Sequence, residues 1–337
     1  AAWGDSLTMS DDPVADREVR QVQSDLERLA VDLPSDLTGR KTHGFTWDRI
    51  AETLRYNRVQ GAAPRLGYQF QLPGDGFTTV RSEIRFGFSD YRVTGGVTVV
   101  REAPGARWTL AGYRDLRSND PFSRGNGFGN SLNALFAGHD DADYHLAAGA
   151  RLTREASLGT GLELLTALLI EDEHSVRREA KSWLNDALGG TGLFPENPPI
   201  AGGTFGGASL KIDHATLRSR WSLGADVLGN GDRATGRAFA SYRRTLWRAG
   251  GVATLAVRTG ITTSDPLPQQ VFRIGGTSTL RGFDYGTRRG PAFWAAQFDW
   301  PLKRGLVQPV VFVDGGQAAS ASDLFGSRAL AGGGAGL

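Results

Sequence analysis

The segment Leu217-Arg218-Ser219-Arg220-Trp221-Ser222-Leu223-Gly224-Ala225-Asp226-Val227 alternates between two kinds of side chain. Leu217, Trp221, Leu223, Ala225 and Val227 are apolar, whereas Arg218, Arg220, Ser222 and Asp226 lie between them. Successive side chains of a β-strand point to opposite faces, so this period of two predicts a strand with one apolar and one polar face. The same period begins near Thr53 and continues through the chain, which predicts an all-β fold.

The polar face of these strands distinguishes a soluble sandwich from a membrane barrel. Between Phe77 and Phe88 that face carries Arg81, Glu83 and Arg85, whereas the core of a sandwich is apolar. A wet lumen accepts such charges, and the predicted segments have the length of tilted barrel strands, about 10–13 residues. Aromatic residues lie near several strand ends, as in a barrel's interfacial girdle. They are Trp108, Trp221, Tyr242, Trp247, Trp294 and Trp300. We therefore predict a transmembrane antiparallel β-barrel.

Composition excludes several other classes. The longest apolar stretch, Leu162 to Ile170, is interrupted by Glu163 and Thr166, so no segment approaches the length of a membrane-spanning helix. The chain has 38 basic and 36 acidic residues and no cysteine. This near balance, without a basic tract, predicts no nucleic-acid partner, and the lack of cysteine excludes disulfides and thiolate metal sites.

The alternation predicts about fourteen strands here and about sixteen in the full barrel. Their centres are expected near Arg58, Tyr68, Glu83, Val97, Leu110, Ala148, Leu164, Leu210, Leu223, Phe239, Leu255, Ala296, Phe312 and Gly333. Short polar connections such as 73–76 alternate with long ones at 117–142, 172–203 and 263–290. Because 332–337 reads as a strand just begun, we expect the natural chain to continue by one or two strands.

Residues 1–44 differ from the rest and are expected to form a helical or linker segment before the barrel of residues 45–337. Asp11 to Leu33 is charged, with apolar residues at three- and four-residue spacing, which predicts a short amphipathic helix that Pro34 ends. We interpret it as a linker lying on the barrel mouth or as the remainder of a preceding domain. A plug helix in the lumen is the alternative.

Two motifs carry a resemblance to a known family. Phe272-Arg273-Ile274-Gly275-Gly276-Thr277-Ser278-Thr279-Leu280-Arg281-Gly282-Phe283 is followed, one strand later, by Val311-Phe312-Val313-Asp314-Gly315-Gly316. Together they resemble the bacterial surface antigen superfamily of outer-membrane barrels, the BamA, TamA and two-partner-secretion transporter type. The resemblance implies that Arg281, Gly282 and Phe283 form a loop tip inside the lumen, received by Asp314 and Gly315. The chemistry fits, since a guanidinium and a carboxylate form a bidentate, charge-assisted contact.

Two departures from the family pattern matter. A glutamate that faces the arginine in many relatives is matched here by Gln297, which has no charge. Asp314, with or without help from Asp299, is then expected to carry the counter-charge. The assembly and secretion members also have periplasmic POTRA domains before the barrel, and residues 1–44 are too short for one.

The resemblance implies an outer-membrane barrel of the assembly or translocation type, which inserts or translocates polypeptide or lipid. Its expected partners are outer-membrane lipids and a polypeptide substrate or periplasmic protein. A passive channel and a structural accessory subunit of an envelope complex are the alternatives.

We expect no enzyme activity, cofactor or metal. The histidines are scattered, and no Gly-x-Ser-x-Gly motif occurs. They are His43, His139, His145, His174 and His214. The run His139–Asp143 is interpreted as a solvated loop tip, with weak Ca²⁺ binding as the alternative.

Overall fold

The computed structural model describes residues 42–46, 53–74, 77–123, 125, 127–248, 251–302 and 309–336. The helix predicted at Asp11 to Leu33 lies outside these residues, and the division at residue 44 stays a prediction. None of the helices within the described ranges is both long and apolar enough to cross a membrane.

Strands dominate the structure. They are β1 (His43–Phe45), β2 (Leu54–Asn57), β3 (Gly61–Gln71), β4 (Thr78–Phe86), β5 (Val93–Ala103), β6 (Ala106–Ser118), β7 (Tyr144–Gly159), β8 (Leu162–Ser175), β9 (Gly203–Ala215), β10 (Ser219–Gly229), β11 (Ala234–Arg248), β12 (Gly251–Thr262), β13 (Phe272–Ile274), β14 (Arg288–Gly290), β15 (Ala292–Pro301), β16 (Val310–Ala319) and β17 (Leu330–Gly336). Fifteen form one sheet, in which β1 and β2 both pair with β3, β3 to β12 follow in order, and β15, β16 and β17 complete it. Each pairing is antiparallel, and β13 and β14 form a separate hairpin.

All but one of the predicted strand centres lie in strands. Arg58 is the exception, because it lies in the turn between β2 and β3. The Asn57 side-chain oxygen accepts hydrogen bonds from the amides of Val59 (3.0 Å) and Gln60 (2.7 Å), and Gly61 adopts φ +63°. An asparagine that bonds its own backbone and a glycine in the left-handed region are both characteristic of turns.

The two faces of the sheet are inverted relative to a soluble protein. On β10, Leu223 is 50% exposed and Val227 53%, whereas Ser222, the residue before Leu223, is 8% exposed. On β8, Leu168 and Ile170 are exposed, whereas the next inward positions hold buried carboxylates. Apolar side chains outside and polar ones inside are the pattern of a transmembrane β-barrel, which confirms the predicted fold class. Among the described strands, β17 pairs only with β16, and the sheet is not closed.

The long connections lie at one end of the sheet, because they join β6 to β7, β8 to β9 and β12 to β15. We call residues 119–143, 176–202 and 263–291 the loop cap. Its helical pieces are α1 (Phe128–Leu132), which continues into a π-helical turn at Asn133–Ala137, α2 (Trp183–Ala187) and a 3₁₀ turn at Pro268–Gln270. The three parts bond to one another: the Ser182 hydroxyl donates to the Leu135 carbonyl (2.9 Å), and the Ala201 amide donates to the Gln269 side chain (3.1 Å).

Candidate functional site

The third part of the loop cap packs its apolar residues against the inner wall of the sheet. Phe272, Ile274 and Leu280 are at most 1% exposed and form a cluster with Phe293 of β15 and with small residues of β15 and β16. The β13–β14 hairpin holds this segment in shape. Because these apolar side chains are buried against the wall, packing holds the loop on the inner face of the sheet.

Arg281 contacts Asp314 through three hydrogen bonds. Its backbone amide and its Nε both donate to Asp314 Oδ2 at 2.8 Å, and its Nη2 donates to Oδ1 at 2.6 Å. Asp314 is 1% exposed, so its charge requires this compensation. The two side-chain contacts form the bidentate geometry that favours arginine over lysine.

The same guanidinium has two further neighbours on the wall. Its Nη1 lies 2.6 Å from Asp299 Oδ1, and its carbon lies 4.1 Å from the centre of the Phe312 ring. Arg281 belongs to the connection rather than to a membrane-spanning strand, and its hydrogen bonds to Asp314 raise the pKa of Arg281. Two carboxylates from adjacent strands thus hold one arginine in its charged form.

Gln297 lies beside this contact and is paired with Asp314 across β15 and β16. Its side chain bonds to other groups: it accepts from Arg258 Nη1 at 2.8 Å and donates to the Thr277 carbonyl at 3.3 Å. The amide therefore joins β12, β15 and the loop without acting as a counter-ion. Asp299 supplies the second negative charge.

Gly282 is needed for its backbone conformation. Its φ is +84°, yet a Cβ there would meet no atom within 4 Å. The conformation, and not a steric clash, therefore requires glycine at the tip. Phe283 is partly buried and packs against the apolar cluster of the loop, as anchorage requires.

Two glycines other than the predicted Gly315 make room for the loop on the wall. At Gly315, the predicted position, the nearest atom to a Cβ is 3.8 Å away, which is an ordinary contact. At Gly316 a Cβ would lie 2.6 Å from Leu280 Cδ1, and at Gly332 it would lie 2.9 Å from the Arg281 carbonyl oxygen. Gly316 and Gly332 are thus the receiving glycines, and the tip lies against β17 as well as β16.

A second charged group joins the parts of the loop cap, and it corrects the solvated loop tip expected at His139–Asp143. Asp140, Asp141 and Asp143 are 1–7% exposed. The Arg58 amide donates to Asp140 (2.8 Å), and Arg273 Nε lies 2.5 Å from Asp143. Burial raises the pKa of Asp140, and the Arg58 guanidinium opposes that rise. Arginines from two distant connections thus contact Asp140 and Asp143, and the Thr277 hydroxyl donates to Asp141 at 2.6 Å.

A polar cavity of about 480 Å³ lies on the inner face of the sheet, below the loop cap. His145, Glu171 and Glu173 line it, all buried, with Arg151, Arg237 and Asp226 nearby. Sequence reasoning missed this group, because its members lie on two strands and meet only through the pairing of β7 with β8.

A comparison with protein-family models found a match to a family of unknown function. The family described as "Family of unknown function (DUF5686) C-terminal domain" matches residues 36–228, more than half of the chain. The chain belongs to the DUF5686 C-terminal domain family. The matched residues of this DUF5686 domain end within β10, before the Arg281 loop begins. A search of curated proteins found no match.

Solved structures resemble this DUF5686 chain in fold. BamA from Haemophilus ducreyi lacking POTRA domains 1–3 is 12% identical with a TM-score of 0.58, covering 88% of this chain and 64% of its own. CdiB from Acinetobacter baumannii is 13% identical with a TM-score of 0.46, covering 83% of this chain and 51% of its own. CdiB from Escherichia coli is 15% identical with a TM-score of 0.43, covering 83% and 53%. The BamA similarity shows a shared fold.

Proposed function

We propose that this chain is an outer-membrane barrel that inserts or translocates polypeptide or lipid, without chemical catalysis. The observation that carries the proposal is the position of the Arg281 tip. Asp314 and Asp299 hold the tip on the inner face of the sheet, where it contacts Gly332. The tip spans β15, β16 and β17, so it can brace that part of the wall while the rest moves. The exposed apolar face has outer-membrane lipids as its partners, and a polypeptide substrate or periplasmic protein is the proposed cargo or partner.

Assisted insertion tests this role directly. Purified chain is reconstituted into phospholipid vesicles, and the folding rate of a small, urea-unfolded eight-stranded barrel protein added outside is followed by its heat-modifiable gel shift. We expect faster insertion than in empty vesicles and in vesicles holding Arg281→Ala. The matched control, Arg233→Ala, removes an exposed ion pair with Asp265 and should behave as the unaltered chain does. An unaltered rate with the intact chain would reject the proposal.

A passive channel is the second candidate, favoured by the polar cavity of about 480 Å³. Planar-bilayer recording separates the two, because a loop packed in the lumen obstructs ion flow. Our proposal predicts small, irregular currents from the intact chain and larger ones after deletion of residues 276–286. Deletion of residues 321–326, a connection between β16 and β17 in which Leu324 alone is buried, is the control. Large, steady, ohmic openings of the intact chain would favour the channel.

A further inference from the structure

We propose that His145, Glu171 and Glu173 form a binding site for one divalent transition-metal cation, such as Zn²⁺, on the inner face of the barrel. One ligand atom of each residue lies within 4.8 Å of those of the others, and all three residues are buried. An imidazole nitrogen with two carboxylate oxygens is a donor set suited to first-row cations such as zinc.

The strands bring these residues together through register. Glu171 and Glu173 are two apart on β8, so both point inward. His145 belongs to the neighbouring strand β7, where Ala147 is paired with Glu173 and Gly149 with Glu171. The imidazole therefore approaches from the side of Glu173. Donors on two hydrogen-bonded strands form a rigid set, which lowers the cost of organising the site.

The first independent observation is the charge on Glu173. It is 3% exposed, and its hydrogen-bond partner is the neutral amide of Gln269, at 2.9 Å. Glu171, by comparison, is matched by Arg151 at 3.2 Å and also accepts a hydrogen bond from the Tyr113 hydroxyl. Arg117 and Arg237 line the same cavity, but the hydrogen-bond partner of Glu173 is neutral. A buried carboxylate bonded only to a neutral group is costly, and a proton or a bound cation would offset that cost at Glu173.

The second observation is the orientation of His145. Its Nδ1 lies 2.5 Å from Asn119 Oδ1, and Asn119 is 2% exposed. Because a carbonyl oxygen only accepts, Nδ1 carries the hydrogen and Nε2 carries the lone pair. Metal-bound histidines have this arrangement, in which the other ring nitrogen donates to a carbonyl or carboxylate. Asn119 also lines the polar cavity, which gives a hydrated cation room beside the three ligands.

The test is Zn²⁺ titration of the full chain in detergent micelles, by isothermal calorimetry and by the rise in melting temperature. We expect one Zn²⁺ per chain, no binding by His145→Gln or Glu173→Gln, and affinity about 10–100-fold lower for Asn119→Ala. The gel shift of the folded barrel shows whether each variant folds. The Glu173→Gln variant keeps the shape of the side chain and still accepts the bond from Gln269.

The chain offers a matched control on the opposite face of β8. His174 Nε2 lies 2.8 Å from Asp172, and both side chains are exposed. His174→Gln should leave zinc binding unchanged. No binding by the intact chain would mean that a proton neutralises Glu173, and this would overturn the proposal. Loss of binding in His174→Gln, or its survival in folded His145→Gln, would overturn it equally.

Discussion

The backbone amide and the side-chain Nε of Arg281 donate to the same oxygen of Asp314, each at 2.8 Å. One carboxylate thereby fixes both the path of the loop and the direction of its arginine. Sequence separation makes the contact a long-range one, between residues 33 positions apart on a connection and a strand. Its energetic value depends on burial, which is nearly complete for Asp314 and partial for Arg281.

The first prediction concerns this pair in urea unfolding of the protein in phospholipid vesicles. Removing one partner of a fully buried ion pair costs about 3–5 kcal/mol of stability, whereas an exposed ion pair contributes about 0–1 kcal/mol. Since Arg281 is partly hydrated, Arg281→Ala and Asp314→Asn should each lower the free energy of unfolding by about 1–3 kcal/mol. The double variant should lose clearly less than the sum, because both changes remove one contact.

The control for this cycle is the exposed pair of Arg233 with Asp265, at 3.0 Å. Arg233→Ala should lower the free energy of unfolding by no more than about 1 kcal/mol. Strict additivity between Arg281→Ala and Asp314→Asn would show that the two residues act separately.

The second prediction concerns Gly332, where a Cβ would lie 2.9 Å from the Arg281 carbonyl oxygen and 3.3 Å from the Phe283 ring. Gly332→Val should displace the loop tip and lower the free energy of unfolding by about 1–3 kcal/mol, the usual cost of overpacking. Faster protease cleavage within the loop is the second measurement. Gly336→Val, on the same strand, meets open space and should change neither quantity. Equal effects at both glycines would indicate loss of strand pairing instead.

The sequence predicted the strands well, because alternation is local. Leu217 to Val227 carries its own period, and β10 lies where that period placed it. The strand centre predicted at Arg58 was wrong, because the Asn57 side chain stabilises a turn there between β2 and β3. A hydrogen bond from a side chain to the neighbouring backbone does not alter the pattern of apolar and polar residues, so the pattern could not predict this turn.

The candidate site was predictable only in part. The motifs linked Arg281 with Asp314, and the structure places the two residues together, while the role of this contact in bracing the wall stays a prediction. The burial of Asp140 and Asp143 required arginines from connections far away in the chain, and His145 reaches Glu173 only through strand register. The space that Gly332 provides depends equally on a neighbour distant in sequence.

The third prediction concerns the charged group of the loop cap. Asp143 lies 2.5 Å from Arg273 Nε and 3.6 Å from Arg58 Nη1, and it is 1% exposed. Asp143→Asn removes their shared counter-charge and should lower the free energy of unfolding by about 3–5 kcal/mol. Cleavage in residues 119–143 by added protease should become faster. Asp284→Asn is the control, since the Asp284 side chain is 77% exposed. If residues 119–143 stay protected from the protease in Asp143→Asn, then Asp143 does not join the parts of the loop cap.

The last prediction tests which face of the sheet meets lipid. Leu223 lies at the middle of β10 and is 50% exposed, and Leu217 lies in the turn before it and is 45% exposed. If this face met water, an arginine at either position would change the free energy of unfolding by a similar, small amount. If it met lipid, the arginine at position 223 would cost more, because the free-energy cost of a charge rises towards the centre of the bilayer. In phospholipid vesicles, Leu223→Arg should lower the free energy of unfolding by about 2–4 kcal/mol and Leu217→Arg by about 0–1. Repeating both measurements in short-chain detergent should narrow the difference, since a micelle is thinner and more easily deformed. Small, equal losses in vesicles would place this face in water and contradict the transmembrane orientation.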